Sequence, residues 1–167
     1  IREMPRRVAL CQRALEILQK DDNKQLWAAL QNELGNSIAR NLSENRANNL
    51  EQAIVAYQQA VTVRTQSAMP VEWATTMMNL ANTYSDRIRG DKAENLELAI
   101  QHYDYALTVF TQPAKPVEWA TTMMNLANAY ASRIRGDKAD NIELAIQHYQ
   151  KTLSVRTQPT MPVEWAT

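Results

Sequence analysis

The stretch Pro70-Val71-Glu72-Trp73-Ala74 recurs at residues 116–120 and again at 162–166. The interval is 46 residues each time, and 34 of 46 positions are identical when 70–115 is aligned with 116–161 without a gap. Self-similarity at a fixed period of this size is typical of solenoids, in which each unit packs only against its neighbours. The repeat therefore decides the fold class.

A more diverged copy lies upstream in the same register, with Trp27 aligned to Trp73 and Tyr57 aligned to Tyr103. Residues 1–23 fit the second half of a still earlier copy. Because the chain starts and stops within a unit, we expect it to be cut from a longer protein. We predict a single array with these divisions: a partial repeat (1–23), three full repeats (24–69, 70–115 and 116–161) and the start of another (162–167).

Each unit predicts two helices. In the first, apolar residues from Trp73 to Ile88 recur every three or four positions and form one stripe. Pro70 suits a first helical turn and Gly90 a C-terminal cap, so we expect this helix to span 70–89.

The second helix carries a similar stripe that ends at Phe110. Its start is open between Asp91, as a capping box with Glu94, and Asn95. Neither stripe can be buried within a lone unit, so the prediction is an all-α superhelix of stacked antiparallel helix pairs.

The composition narrows the function classes. The chain has 167 residues, 45% of them hydrophobic and 22% charged, and its formal net charge is zero. We expect no nucleic-acid partner, because such binders usually carry a basic excess, and no membrane partner, because no apolar run could span a bilayer. Cys11 is the only cysteine, which favours a reducing, cytoplasmic setting.

Two spaced motifs point to a known family. The pattern Leu80-Ala81-x-x-Tyr84, followed by Ala99-x-x-x-Tyr103-x-x-Ala106, resembles the tetratricopeptide repeat signature, here in units longer than the usual 34 residues. The units are similar to kinesin-light-chain-like repeats. The strings Pro-Val-Glu-Trp-Ala-Thr-Thr, Asn-Leu-Ala-Asn-x-Tyr and Arg-Ile-Arg-Gly-Asp-Lys resemble bacterial arrays that are often joined to a caspase-like (CHAT) protease domain.

The resemblance implies that first helices line a concave face, with asparagines on both sides of the Leu-Ala pair directed toward it. An asparagine amide has donors and an acceptor, so a ladder of them can hold an extended peptide backbone. Alternatively, the asparagines bond between units and the methionines fill the core. The candidate binding residues are Asn32, Asn36, Arg40, Met78, Asn79, Asn82, Asp86, Met124, Asn125 and Asn128.

Some positions depart from the repeat. Arg40, Asp86 and Ser132 occupy one equivalent position, which either sets specificity or has drifted on a solvated surface. Thr152 replaces the packing alanine of other units. The first full unit has Ser43-Glu44-Asn45 where the later units have an Arg-Gly-Asp turn.

The Arg-Gly-Asp tripeptides at 89–91 and 135–137 are explained by helix caps rather than by cell adhesion. We expect their arginines to form charge ladders with Asp86, Asp91 or Asp137, or a basic edge patch.

The remaining chemistry-bearing residues have structural explanations. The tryptophans are predicted to form inter-unit core, although a surface hot spot is an alternative. His102 and His148 are expected on the solvent-facing side of the second helices, without metal-ligand companions. Cys11 aligns with Tyr57, a buried slot, and is not expected to be a nucleophile. We therefore expect no catalytic group, metal site or cofactor.

The sequence favours a non-enzymatic scaffold that binds a protein or peptide in its concave groove, as the sensor or recruitment part of a larger protein. A structural spacer, or a solenoid that self-associates end to end, is the alternative. A further alternative is the regulatory arm of a caspase-like protease that lies outside this chain.

Overall fold

A computed structural model describes residues 3–41 and 45–156. These residues form helices and no strand, which confirms the all-α class. Helices α2, α4 and α6 each pack against the helix that follows, and α3 and α5 pack against the next pair. Neighbouring first helices also touch, α2 with α4 and α4 with α6, as in an α-α solenoid. The helices are α1 (Met4–Ile17), α2 (Lys24–Ala39), α3 (Arg46–Val61), α4 (Pro70–Asp86), α5 (Lys92–Leu107), α6 (Pro116–Ser132) and α7 (Lys138–Arg156).

The first helix of the central unit begins as predicted, with Pro70 in the first turn, but it ends at Asp86 rather than at residue 89. Arg87 already has an extended backbone, with φ −56° and ψ 130°. Ile88 is 61% exposed and does not belong to the buried stripe. Gly90 has a positive φ of 78°, so the glycine serves the turn before α5 and not the C-terminal cap of α4.

The start of the second helix is resolved in favour of aspartate. Asp91 is the N-cap of α5, and its carboxylate accepts from the backbone N–H of Glu94 at 2.8 Å. Asn95, the alternative cap, is buried and closes the turn, because its amide nitrogen donates to the Arg89 carbonyl at 2.8 Å. Asn141 makes the same bond to Arg135 one unit later, at 2.9 Å.

Two bidentate ion pairs join successive units. Arg87 donates to both carboxylate oxygens of Glu51 on α3, at 2.8 and 2.7 Å. Arg133 and Glu97 repeat the pair at 2.8 Å for both bonds. The predicted ladder from the arginines of the Arg-Gly-Asp turns to aspartates is therefore wrong: Arg89 donates to Asn48 instead. Arg87, which bridges to the previous unit, is the first residue beyond the end of α4.

The apolar core runs through the helix pairs and continues between them. Trp73 and Trp119 are half-buried and pack against a cluster of Ala74, Met77, Ala106 and Phe110, so both contribute to inter-unit contacts. Phe110 lies beyond the end of α5 and is fully buried. Trp165 lies outside the described residues.

Both histidines differ from the prediction of solvent exposure. His102 is half-buried, with Nδ1 2.7 Å from the Leu98 carbonyl and its ring 5.3 Å from that of Tyr84. His148 is half-buried and stacks on Tyr130 at 5.5 Å between ring centroids. Burial lowers the pKa of both imidazoles, so each is held as a neutral packing group.

Two places at which a unit departs from the repeat are Thr152 and the turn at residues 43–45. Thr152 is buried in its alanine slot, and its hydroxyl donates to the Tyr149 carbonyl at 2.7 Å, so the helix satisfies the added polar group. Asn45 is the N-cap of α3. Ser43 and Glu44, where the first full unit differs from the Arg-Gly-Asp turn, lie outside the described residues.

Equivalent unit junctions differ in chemistry. At the first, buried Arg64 donates to the Thr76 hydroxyl at 3.1 Å. This hydroxyl lies 2.8 Å from the Glu72 carbonyl oxygen and 3.1 Å from Asn32 Oδ1, either of which can accept its single proton. At the second, Phe110 and Met78 take the places of Arg64 and Asn32. The hydroxyl of Thr122 donates to the Glu118 carbonyl at 2.7 Å and lies 3.3 Å from the Met78 sulfur. Burial lowers the pKa of Arg64, because loss of water destabilises the charged guanidinium, so keeping this side chain charged reduces the stability of the fold.

We expect Arg64→Phe to stabilise the chain by about 1–2 kcal/mol, because it replaces a buried charge with the side chain of the equivalent junction. The reciprocal Phe110→Arg should destabilise it by several kcal/mol, on the order of the cost of an uncompensated buried charge. Urea denaturation followed by circular dichroism measures both. A lower urea midpoint for Arg64→Phe would contradict this account.

The two arginine–glutamate ion pairs make the free energy of unfolding depend on pH. Hydrogen bonding to arginine lowers the pKa of Glu51 and of Glu97 in the folded chain. The ion pairs therefore contribute fully to the free energy of unfolding at pH values above the pKa of the glutamates in the unfolded chain. This contribution is lost as pH falls through their lower pKa in the folded chain. We expect the double variant Glu51→Gln with Glu97→Gln to be less stable than wild type at pH 7 by about 1–2 kcal/mol and to lose less stability between about pH 5 and pH 3. Glu143→Gln is the matched control, since this equivalent position has no arginine bridge in the described residues. A pH profile identical to wild type would refute the prediction.

Candidate functional site

The inner face is built where second-helix tyrosines reach the asparagines of the first helices. The hydroxyl of Tyr57 donates to Asn36 Oδ1 at 2.8 Å, and that of Tyr103 donates to Asn82 Oδ1 at 2.6 Å. Tyr149 makes the same bond to Asn128. Each pair is 21 residues apart in sequence, so one contact repeated in each unit engages the carbonyl oxygen of the asparagine amide.

Two cavities on this face occupy equivalent positions in successive units. The first site, between α2 and α4, has a volume of about 220 Å³, and the second site, between α4 and α6, about 420 Å³. They share Asn82 and Asp86, so they adjoin along the face. The first site is lined by Asn36, Ala39, Arg40, Arg46, Leu50, Tyr57, Asn79, Asn82, Thr83 and Asp86, and the second by Asn82, Ser85, Asp86, Tyr103, Asn125 and Asn128.

The asparagines of the second site combine a bond between units with open hydrogen-bonding groups. Asn125 Nδ2 donates at 3.0 Å to Asn82 Oδ1, which also accepts from Tyr103. Among the described residues, neither Asn82 Nδ2 nor Asn125 Oδ1 then has a hydrogen-bond partner. The site therefore presents one donor and one acceptor from adjacent helices.

The first site differs in one bond. Asn79, the equivalent of Asn125, donates to Asn32 Oδ1 at 3.4 Å rather than to Asn36. Asn32 stands where the next unit has Met78, and it offers a carbonyl oxygen that a methionine lacks. In the first site, Asn36 Oδ1 therefore accepts from Tyr57 alone among the described residues.

The predicted binding residues fall into two groups. Asn32 is buried in the first junction, Met78 is half-buried against the core clusters, and Met124 is half-buried; none of the three lines either site. The other seven all line at least one of the sites: Asn36, Arg40, Asn79, Asn82, Asp86, Asn125 and Asn128. Sequence reasoning missed Tyr57, Tyr103 and Arg46; the constant 21-residue spacing from tyrosine to asparagine was the available signal.

The variable position gives the two sites different charges. Arg40 lines the first site, Asp86 lines both, and Ser132 is exposed at the end of α6. Arg46 bridges between units, with Nη2 3.1 Å from Asp86 Oδ2, and it also donates to the Ala39 carbonyl. In the described part of the chain, Arg40 has no salt-bridge partner.

Electrostatics at the tyrosines reflect this difference. Burial raises the pKa of both Tyr57 and Tyr103, so both hydroxyls remain protonated donors. The positive charge of Arg40 offsets part of this rise at Tyr57, whereas the negative charge of Asp86 raises the pKa of Tyr103 further. Arg40 and Asp86 therefore act with opposite sign on equivalent hydroxyls, and Glu33 adds a smaller effect at Tyr57 that raises its pKa.

In residues 3–41 and 45–156, no group of three or more His, Cys, Asp or Glu side chains is arranged to hold a metal ion. None of the helices in these ranges has the length and apolar character needed to cross a bilayer. Cys11 is buried as predicted, and burial raises the pKa of its thiol, which disfavours the nucleophilic thiolate.

Comparison with known proteins agrees with this architecture. The sequence model of the tetratricopeptide repeat matches residues 73–101 and 119–158. These segments cover α4 with the first part of α5, and then α6 with α7. The matches support a tetratricopeptide repeat array. No curated protein matches the chain.

We expect Tyr103→Phe to destabilise the chain by about 1 kcal/mol, because it removes one of two donors from the Asn82 carbonyl oxygen. Tyr105→Phe is the matched control, since the Tyr105 hydroxyl is bonded only to Gln101 on the exposed side of α5 among the described residues. Urea denaturation compares the two variants. Equal losses of stability in the two variants would contradict the prediction, because the Tyr103–Asn82 hydrogen bond would then contribute no more to the free energy of unfolding than an exposed one.

Proposed function

We propose that this chain is a protein- or peptide-binding tetratricopeptide scaffold whose inner face holds an extended segment of its partner. The observation that carries the proposal is the open pair formed by Asn82 Nδ2 and Asn125 Oδ1. An extended backbone presents one N–H and one C=O per residue, so it complements a donor and an acceptor on adjacent helices. Such contacts provide affinity for a main chain without requiring a particular side chain.

The family match supports this proposal. Tetratricopeptide repeats generally mediate protein–protein interactions and are typically non-enzymatic scaffolds. We further propose that the chain is the sensor or recruitment part of a larger cytoplasmic protein, divided into units at residues 24, 70, 116 and 162. The kinesin-light-chain-like character of the units, a bacterial origin and a link to a caspase-like protease rest on the sequence resemblance alone.

Self-association is the second candidate, and exposed apolar side chains on α7 favour it. Ile142 and Ile146 are 38% and 43% exposed, whereas the equivalent Leu96 and Ile100 on α5 are 1% and 7% exposed beside α6. A partner helix on α7 would bury the same positions. Sedimentation velocity at several concentrations tests this candidate: wild type should associate and Ile146→Glu should remain monomeric. A wild-type monomer at all concentrations would exclude it for this chain.

The binding proposal is tested with peptides selected on the wild-type chain from a random 12-residue display library. We expect Asn82→Ala combined with Asn128→Ala to weaken binding of the selected peptides about tenfold, as expected for the loss of two hydrogen bonds of roughly 0.5–1 kcal/mol each. Circular dichroism should show unchanged helicity.

The matched control is Gln59→Ala combined with Gln150→Ala, which removes two exposed amides from second helices. The control should bind the peptides as wild type does. If the asparagine variant also retained wild-type affinity, binding at the inner face would be refuted.

A further inference from the structure

We propose that the inner face selects an extended segment with an acidic side chain at the first site and a basic side chain at the second, about three residues apart. This inference rests on the proposed function and adds the chemistry of the partner. It follows from two equivalent cavities that share their asparagine and tyrosine positions and differ in charge. The acidic residue would face Arg40, and the basic residue would face Asp86.

The first site has a guanidinium that is available to a ligand. Arg40 is exposed and lacks a salt-bridge partner among the described residues. The other arginine of the site, Arg46, is already engaged by Asp86 and by the carbonyl of Ala39. An arginine fork binds a carboxylate through two parallel bonds, so Arg40 favours an acidic side chain more strongly than a neutral one.

The second site has a carboxylate and no cation among its lining residues. Arg46 contacts Asp86 through Oδ2, whereas Oδ1 makes no hydrogen bond in the described part of the chain. The Asp86 side chain is 63% exposed, and a carboxylate can accept several hydrogen bonds, so it remains open to a second cation. Lys92, the equivalent of Arg46, donates to the Ser85 carbonyl at the end of α4 and is thereby directed to the helix terminus.

The distance between the sites sets the spacing in the ligand. The sites are one unit apart along the row of first helices, and α2 contacts α4. Packed helices have axes about 8–10 Å apart. An extended segment in the polyproline II conformation rises about 3.1 Å per residue with three residues per turn, so side chains three residues apart point the same way. Two ligand side chains that reach neighbouring sites are therefore about three residues apart. The opposite signs at Arg40 and Asp86 also fix the direction in which the segment lies.

The test uses blocked octapeptides that differ only at two positions three residues apart. The five peptides carry Glu and Lys in either order, Glu at both positions, Lys at both positions, or Gln at both positions. Binding is measured at low salt from the NMR shifts of the Asn82 and Asn125 side-chain amides. One of the two mixed peptides should bind tighter than the Gln peptide by about threefold to tenfold, as expected for exposed ion pairs, and added salt should reduce the difference.

Charge reversal identifies the residue responsible. With Arg40→Glu, the preference should move from the mixed peptide to the peptide with Lys at both positions. Arg6→Glu makes the same change in net charge at an exposed position that lines neither site, and it should leave the order of affinities unchanged.

Two results would overturn the inference in distinguishable ways. If all five peptides shift the asparagine amides with equal affinity, the inner face binds peptides without charge selection, and only this inference fails. If none of them shifts these amides, although they do shift other resonances, binding lies elsewhere and the proposed function fails as well.

Discussion

Close contact between helices at fully buried alanines is the constraint on which this structure depends. Ala53, Ala60, Ala99 and Ala106 on second helices, and Ala74 on a first helix, have no exposed surface. A small side chain lets neighbouring helices approach, and the large side chains beside it then interlock with high packing density. The approach also brings a second-helix tyrosine within reach of the first-helix asparagine, so the geometry of the inner face follows from the packing of the core.

The 46-residue period and the helix-start chemistry made much of the fold predictable. A helix start depends on residues that are near one another in sequence, so local rules suffice to predict the roles of Pro70 and Asp91. The same holds for the apolar stripe of each helix. The end of α4 was mispredicted: Arg87 lies beyond the helix and binds Glu51, 36 residues earlier in the chain, and a local pattern does not contain such a contact. The histidines were mispredicted for a similar reason: tyrosines of the preceding helix cover them, and helical periodicity alone does not show this.

The candidate site was predictable as a set of asparagines, and less so in its details. The family resemblance singled out Asn36, Asn82 and Asn128 as candidates, and the structure adds the tyrosines whose hydroxyls donate to them. Asn32 and Met78 stand one helical turn before Asn36 and Asn82 on nearly the same side of the helix. They are covered because the first helix of the next unit reaches them: the Thr76 hydroxyl contacts Asn32, and that of Thr122 contacts Met78. Which residues of a solenoid helix are covered depends on the helices of two neighbouring units at once, and the pattern of a single helix does not contain that information.

The threonine at the unit junction has a consequence for how such arrays change over generations. The Thr76 hydroxyl meets an amide oxygen and an arginine, whereas that of Thr122 meets a thioether sulfur. The face of a unit that carries this threonine therefore packs against either polar or apolar side chains of the preceding unit. A gene that loses or duplicates one whole unit would still join compatible surfaces, so the length of the array is free to evolve while each junction is kept.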